Sequence, residues 1–228
     1  MLLLAAFGKG KITIKNILIS DDTCYMINAL KTLGINIKVH DNNVIIIGCN
    51  GKLSLSNDIK LYLGNSGTCL RFLTGVLSFV SNTKIILDGD EYMRKRPIKD
   101  LVIALRDFGV NIKTLNNNGY PPVIINGFNK KSNYIRINTD NSSQYLTGIL
   151  LGGYFNRLDL TIEPYGKLVS KKFIDMTVNI MKKFNVNISY NDNKFFIKTG
   201  CYNNPKKYNI QADATSSSYI LALSALLN

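Results

Sequence analysis

The segments RFLTGVLSFV (residues 71–80) and QYLTGILLGG (residues 144–153) are nearly superimposable, and SYILALSALL (residues 218–227) begins another of the same kind. Each segment is apolar almost all the way round, which is typical of a helix that is buried on every side. Other elements must pack around such helices. The segments therefore predict a core of equivalent helices, aligned in the same direction, inside a shell of sheets and outer helices.

A second pattern recurs at 27–39, 102–114 and 178–190, where INALKTLGINIKV, VIALRDFGVNIKT and VNIMKKFNVNISY each read as an amphipathic helix running into a strand. A further short strand follows each copy after Asn, Asp or Gly turn residues. Thr177 is the exception to an otherwise matching set of apolar positions. The side chains predicted to face the core are Met26, Leu30, Leu33, Leu101, Leu105, Phe108, Met181 and Phe184.

The first copy begins part-way through its core helix. LLLAAFGKGKITI at 2–14 aligns with GVLSFVSNTKIIL at 75–87, which is the back half of a core helix and the strand after it. The last copy stops inside its helix at residue 228. We therefore expect the chain to be an excerpt from a longer protein.

Clusters of small polar residues precede the core helices: GNSGT at 64–68, DNSSQ at 140–144 and DATSS at 213–217. These residue types cap helix N-termini, and capping alone would explain a single cluster. Helix N-termini also present unpaired N–H groups and a partial positive charge. Three clusters focused on one face therefore predict a site for phosphate or carboxylate.

The formal net charge of +13 favours an anionic partner. The lysines are scattered, without a dense basic run interleaved with aromatic residues, so nucleic acid is not the expected partner. Small anionic substrates fit the charge better. No apolar stretch is long enough to span a bilayer, and the N-terminal segment does not resemble a secretory signal, so we expect a cytoplasmic protein with no membrane partner.

The four cysteines, Cys24, Cys49, Cys69 and Cys201, lie far apart, and His40 is the one histidine. Neither a disulfide framework nor a metal site is indicated by such spacing. We expect reduced thiols and no metal.

Five further segments, in this order along the chain, carry a resemblance to the enolpyruvyl transferase family and to its branch that acts on shikimate 3-phosphate. The first resembles the phosphoenolpyruvate loop of the family, the second its next signature, the third and fourth its shikimate-phosphate motifs, and the fifth its crossing between domains. They are GNSGTCLRFLTG (64–75), LDGDEYMRKRPIKDLVIALRDFGVNI (87–112), NSSQYLTGILL (141–151), LVSKKFIDMTVNIMKKFNV (168–186) and ADATSSSYILA (212–222).

The resemblance implies an α/β (α+β) fold of two domains, each built from three βαβαββ-type units around buried parallel helices whose N-termini face the interdomain cleft. Residues 1–212 would form one substrate-binding domain with a truncated first core helix. Residues 213–228 would be the crossover and the first helix of a second domain. The complete protein is expected to be a monomer.

The implied reaction transfers the enolpyruvyl group of phosphoenolpyruvate to the 5-hydroxyl of shikimate 3-phosphate, with release of phosphate through a tetrahedral intermediate. The family needs no metal or organic cofactor. Its acid and base carboxylates belong to the second domain, so no catalytic residue is assigned in this chain. Glyphosate, which competes with phosphoenolpyruvate, is the expected inhibitor.

Site residues follow from the resemblance position by position. The residues implied for phosphoenolpyruvate are Asn65, Gly67, Arg96 and Gln144. Those implied for shikimate 3-phosphate are Ser142, Ser143, Gln144, Ser170 and Phe173. Standing alone, Arg96 would be read as a solvated charge in a basic loop.

The chain departs from the family pattern at three places. A Lys-Ser-x-Ser-x-Arg signature should precede LLLAA and is absent, Phe173 stands where a tyrosine is expected, and Phe72 stands where many members have proline. The pattern gives Arg71 no role beyond pairing with a neighbouring carboxylate.

Two alternatives remain open at this point. One is the UDP-N-acetylglucosamine enolpyruvyl transferase of the same fold, although its loop cysteine has no counterpart in GDEYMRKRP (89–97). The other is a non-catalytic remnant that only binds substrate. Turnover after addition of a second domain would separate an enzyme portion from a remnant.

Overall fold

Three four-stranded sheets with one shared plan form the framework of the chain. In each sheet an outer strand runs parallel to its neighbour, and the other pairings are antiparallel. The mixed α/β fold predicted from the sequence is confirmed. The computed structural model describes residues 1–55, 57–128, 132–156, 158–211 and 214–227.

The elements fall into three units, each with a buried helix, a central strand, an outer helix and two closing strands. Unit 1 contains α1 (Leu2–Phe7), β1 (Lys9–Lys15), α2 (Asp21–Thr32), β2 (Asn36–His40) and β3 (Asn43–Cys49). Unit 2 contains β4 (Ile59–Tyr62), α3 (Gly67–Val80), β5 (Ile85–Asp88), α4 (Lys99–Phe108), β6 (Val110–Thr114) and β7 (Val123–Phe128). Unit 3 contains β8 (Tyr134–Asn138), α5 (Ser143–Gly153), β9 (Leu160–Tyr165), α6 (Lys171–Lys183), β10 (Ile188–Asn191) and β11 (Lys194–Ile197).

The strand that would precede α1 is supplied from the other end of the sequence. β12 (Lys207–Asn209) pairs in parallel with β1, in the register Thr13 to Lys207, and so takes the place that β4 and β8 hold in their own sheets. Nearby, the Tyr202 hydroxyl donates to the carbonyl of Leu4 at 2.8 Å. All three units therefore share the βαβαββ arrangement.

The outer helices bury the side chains that the sequence pattern selected. All eight of the predicted core-facing residues are no more than 7% exposed, from Met26 in α2 to Phe184 after α6. α2 begins with a capping box between Ser20 and Thr23. The two-residue turn Asp192-Asn193 closes β10 onto β11 with both residues at positive φ, as Asn and Asp tolerate.

The buried helices α3 and α5 run parallel and touch through glycines. A Cβ on Gly152 would lie 2.7 Å from the carbonyl oxygen of Gly75, and one on Gly148 would lie 2.7 Å from that of Arg71. Backbone approach of this kind leaves no room for a side chain. The two helix N-termini are consequently held side by side.

The last helix, α7 (Ala214–Leu227), differs from the other apolar helices. Its large apolar residues, from Tyr219 to Leu227, are 57–83% exposed. The expectation that SYILALSALL is buried is therefore wrong for this structure, because no described element covers it. The expected domain boundary between residues 212 and 213 lies outside the described residues.

Candidate functional site

The three predicted serines line one cavity beside the N-terminus of α5. Ser142, Ser143 and Ser170 all line this cavity, which has a volume of about 770 Å³. Ser142 is the N-cap of α5, and its Oγ accepts a hydrogen bond from the backbone N–H of Gln144 at 3.2 Å. Within the described part of the chain, the hydroxyls of Ser143 and Ser170 make no hydrogen bond. Both hydroxyls are thus free to bind a ligand.

Ser170 reaches this cavity because its loop is tied to the loop before α5. Oδ1 of Asp140 accepts from the backbone N–H of Lys167 at 2.5 Å. The hydroxyl of Thr139 donates to the carbonyl of Tyr165 at 3.1 Å. Ser170 has φ 54° and ψ 44° at the start of α6 and does not cap that helix with its side chain. Its hydroxyl is therefore not committed to the helix.

Aromatic rings form part of the same lining. Phe173 lies in the first turn of α6 and is 62% exposed, and Phe72 lies in α3. Neither ring carries a hydroxyl, so each contributes apolar surface only. At Phe173 the cavity consequently lacks the polar contact that a tyrosine would provide.

The N-terminus of α3 has a different character, because it offers a glycine and guanidinium groups. A Cβ on Gly67 would lie 3.0 Å from Nη1 of Arg71 and 3.1 Å from Nη1 of Arg96, so both guanidiniums lie against the glycine. Ser66 caps the helix by accepting from the backbone N–H of Cys69 at 3.3 Å. Asn65 is exposed and lies outside the cavity lining, with its carbonyl accepting from the N–H of Gly67 at 3.0 Å.

Two arginines of the RKRP loop behave differently. Arg94 donates to both carboxylate oxygens of Asp88, from Nε at 3.1 Å and from Nη2 at 2.6 Å. Arg96 is exposed and forms no ion pair with any described carboxylate. Of these two arginines, Arg94 is therefore neutralised by Asp88, whereas the charge of Arg96 is available to an anion.

Gln144 connects the two N-termini. Its Nε2 donates to Oγ1 of Thr68 at 3.1 Å, and its Oε1 accepts from Nη1 of Arg71 at 2.7 Å. It is half-buried and also lines the cavity. The predicted residues of the two helices therefore lie in one continuous region.

Arg71 pairs with no carboxylate among the described residues, which corrects the expectation for it. Besides Gln144, it donates to the carbonyl of Pro97 at 3.3 Å, and its guanidinium lies 5.6 Å from the ring centre of Tyr145. Burial lowers the pKa of Arg71, Tyr145 partly opposes that shift, and the nearby charge of Arg96 adds to it. Thr68, Tyr145 and Pro97 were missed as site neighbours, although all three lie inside the quoted motifs.

The charge pattern of the helix starts also favours an anion at these two helices. The outer helices α2 and α4 carry acidic residues in their first turns, Asp21 and Asp22 in α2 and Asp100 in α4. α3 and α5 carry none, and neither does the outer helix α6, whose N-cap is Ser170. Acidic side chains normally offset the positive N-terminal end of a helix. At α3 and α5 that end is left for an external anion.

Metal-binding clusters and membrane-spanning helices are both absent from the described ranges. These ranges contain no group of three or more His, Cys, Asp or Glu residues placed to hold a metal ion. They also contain no helix both long and apolar enough to cross a membrane. The four cysteines carry free thiols.

Known proteins that resemble this chain share one family description. The sequence profile of the family described as EPSP synthase (3-phosphoshikimate 1-carboxyvinyltransferase) matches residues 1–228. A 3-phosphoshikimate 1-carboxyvinyltransferase of Histophilus somni strain 2336 is 42% identical over 99% of this chain. The enzyme of that name from Actinobacillus pleuropneumoniae serotype 5b is 40% identical over the same share. Both matches cover 54% of the relative, so the chain spans about half the length of these relatives.

The fold is also that of a solved EPSP synthase. The structure from Acinetobacter baumannii at 2.37 Å superposes with a TM-score of 0.83 at 24% identity, covering 96% of this chain and 48% of that one. The fold defines a domain of the EPSP synthase type, in which two neighbouring buried helices begin without first-turn acids. The chain belongs to the EPSP synthase family, as its full-length profile match shows. The family model, these relatives and this solved structure all carry the name of the shikimate branch, which supports that reading over the UDP-sugar alternative.

Proposed function

We propose that this chain is the shikimate 3-phosphate-binding part of a 3-phosphoshikimate 1-carboxyvinyltransferase. That enzyme transfers the enolpyruvyl group of phosphoenolpyruvate to the 5-hydroxyl of shikimate 3-phosphate, giving 5-enolpyruvylshikimate 3-phosphate and phosphate. The observation that carries the proposal is the convergence of Ser142, Ser143 and Ser170 on one cavity at a helix N-terminus without first-turn acids. Residues 1–212 would act as the substrate domain and 213–228 as the crossing to a second one.

The serine hydroxyls are suited to the phosphate of shikimate 3-phosphate. Each hydroxyl can donate one hydrogen bond, and donors to an ionised phosphate oxygen form short, strong bonds. The N-terminus of α5 adds a partial positive charge at the same place. Phe173 would offer its ring face to the carbocycle of the substrate. Binding by these groups requires no metal.

Phosphoenolpyruvate is assigned to the neighbouring N-terminus of α3. Arg96 supplies a planar, permanently charged fork that matches carboxylate or phosphate oxygens. Gly67 places no side chain between the helix backbone and the two guanidiniums, so an anion held by Arg96 can approach the helix N-terminus. Asn65, which is exposed two residues earlier, is assigned to the same ligand. Gln144, which touches both regions, would bridge the two substrates.

These residues bind and orient, whereas the proton transfers need groups from elsewhere. A reaction through a tetrahedral intermediate needs an acid and a base placed at the reacting carbons, in a site closed to water. We assign those groups to a second domain. The other partners proposed are glyphosate as a competitor of phosphoenolpyruvate, a monomeric complete enzyme and a cytoplasmic location, for which the four free thiols are the supporting observation.

Calorimetry of the 228-residue chain and an activity assay of a hybrid enzyme test the proposal. In the hybrid, this chain replaces the matching segment of the Histophilus somni relative. The chain alone is expected to bind shikimate 3-phosphate weakly and to release no phosphate from phosphoenolpyruvate. The hybrid is expected to release phosphate only when both substrates are present.

One control variant and two contradicting outcomes make the test decisive. A hybrid carrying alanine at Ser142, Ser143 and Ser170 should lose shikimate 3-phosphate binding while keeping a folded circular dichroism spectrum. Transfer by the chain alone would contradict the assignment of the acid and base to a second domain. A folded chain that does not bind shikimate 3-phosphate would contradict the serine assignment.

A further inference from the structure

Arg71 links three parts of the candidate site described above, namely α3, α5 and the RKRP loop. It lies one turn into α3, and its two terminal nitrogens donate in different directions. Nη1 donates to Oε1 of Gln144 in α5, and Nη2 donates to the carbonyl of Pro97 after the RKRP loop. A single guanidinium thus connects α3, α5 and that loop.

The contact with Arg71 determines how the Gln144 amide is oriented. A guanidinium has five N–H donors and no acceptor, so the atom that faces it at 2.7 Å is the amide oxygen. The amide nitrogen then donates one of its hydrogens to Thr68. Its second hydrogen remains available at the cavity. With the reverse orientation, Gln144 would present an oxygen to an anionic substrate and repel it.

The second contact fixes the backbone next to Arg96. The carbonyl of Pro97 accepts from Nη2 of Arg71 at 3.3 Å and from the hydroxyl of Tyr145 at 2.8 Å. The guanidinium of Arg71 also lies over the Tyr145 ring, at 5.6 Å from its centre. The residue after Arg96 is therefore anchored from two helices, and Arg96 itself is left free of ion pairs with described residues.

We propose that Arg71 is a positioning residue, which sets the Gln144 amide as a hydrogen-bond donor and holds the backbone that carries Arg96. The proposal rests on the function proposed above, because it concerns the binding of shikimate 3-phosphate and phosphoenolpyruvate at that site. Arg71 makes its polar contacts to neutral acceptors, and no described carboxylate pairs with its charge. The two hydrogen bonds that Arg71 donates, and not an ion pair, hold its guanidinium in this position.

The test is a double-mutant cycle between Arg71 and Gln144. Calorimetry would measure shikimate 3-phosphate affinity for the chain, for Arg71→Ala, for Gln144→Ala and for the double variant. We expect Arg71→Ala to weaken binding about tenfold in the parent and less than about twofold in the Gln144→Ala background. Equal losses in both backgrounds would overturn the proposal, because Arg71 would then act without Gln144.

Two further variants separate geometry from charge. Arg71→Lys keeps the charge but cannot reach two separated acceptors with a planar fork, so affinity should stay reduced. Full recovery with lysine would show that charge alone matters and would refute positioning. Arg94→Ala, which removes a charge paired with Asp88 on the same loop, should leave the affinity unchanged.

Side-chain amide signals give a readout that does not depend on any ligand. In nitrogen-15 spectra of the ligand-free chain, the two Gln144 amide hydrogen signals should lie away from the positions of a solvent-exposed glutamine in the parent, and both should move toward those positions in Arg71→Ala. Unchanged signals would contradict the orienting role. A purely structural role would lower the melting temperature without moving either the signals or the affinity. If the parent binds no shikimate 3-phosphate, the proposed function fails, and these signals still decide the orientation.

Discussion

The N-termini of α3 and α5 share the same backbone arrangement but carry different side chains. Each follows its strand after a four-residue connection, 63–66 before α3 and 139–142 before α5. A serine caps each helix, and neither first turn carries an acid. Beyond this shared frame, α3 has a glycine flanked by two guanidiniums, whereas α5 has hydroxyls and an amide.

Under the proposed function, this difference would allow a repeated unit to bind two different anions. The repeat supplies the geometry and the partial positive charge of a helix start, which attract any anion. A few side chains per unit then decide which anion fits. The guanidinium fork suits a carboxylate or a phosphate, and single hydroxyl donors suit phosphate oxygens. The following changes test that division.

Gly75→Ala should have the largest effect, because it breaks the contact on which the comparison depends. The new methyl would overlap the backbone of Gly148, which cannot move as a side chain can. We expect a loss of about 3 kcal/mol in stability, or roughly 6 to 12 °C in Tm. Thermal unfolding of the chain measures this effect. Gly153→Ala in α5 is the matched control, since its methyl would meet only the tip of Leu160, and similar losses in both variants would contradict the explanation.

Arg96→Ala should selectively weaken the α3 side. A charge-assisted contact to an ionised ligand contributes about 1.5 to 3 kcal/mol, so phosphoenolpyruvate affinity in the hybrid should fall more than about tenfold. Shikimate 3-phosphate affinity should change far less. Arg94→Ala provides the comparison, because its charge is already paired with Asp88. If the two variants bind phosphoenolpyruvate equally well, Arg96 has been assigned wrongly.

Ser143→Ala should weaken the α5 side by a smaller amount. Loss of one hydroxyl donor to a charged phosphate should cost about 1.5 kcal/mol, or about tenfold in shikimate 3-phosphate affinity by calorimetry. Ser66→Ala removes the cap of α3 and should reduce stability by about 1 kcal/mol without changing this affinity. A drop in affinity for Ser66→Ala equal to that for Ser143→Ala would mean that helix capping, and not phosphate contact, is being measured.

Gly67→Ala should have the smallest effect, and it tests whether Gly67 lies against phosphoenolpyruvate. Its methyl would meet the ends of Arg71 and Arg96 at 3.0 and 3.1 Å, and these flexible ends can shift by a few tenths of an ångström. We expect a loss of about threefold in phosphoenolpyruvate affinity, below 1 kcal/mol, with an unchanged Tm. Competition by glyphosate should weaken in parallel. A variant that binds shikimate 3-phosphate worse and phosphoenolpyruvate normally would place the loop against the other substrate.

Much of the fold could be predicted from the sequence because local periodicity repeats three times. The alignment of Leu30, Leu105 and Met181 identified one buried stripe in three helices, and all three side chains are fully buried. Cap clusters also identified the starts of α3 and α5. The motifs selected Ser142, Ser143 and Ser170, which the structure brings to one cavity.

What could not be predicted depends on long-range contacts. The partners of Arg71 lie 26 and 73 residues away, so no local pattern shows that it contacts Pro97 and Gln144. Apolar composition indicated burial for the last helix, but burial also needs a covering surface. The pairing of β12 with β1 joins segments at opposite ends of the sequence, and neither segment carries a signal for it.

That pairing also has a consequence for the order of folding. The sheets of units 2 and 3 pair entirely within 59–128 and 134–197, so each sheet can form as soon as its own residues are available. Unit 1 cannot complete its sheet until 207–209 has been synthesised, although β1 precedes the other described strands in the sequence. Closing so long a loop is slow, because the entropic cost precedes the gain from contacts. Unit 1 should therefore be the last to acquire protection from hydrogen exchange, and until then the edge of β1 is the part of the chain most exposed to wrong pairing.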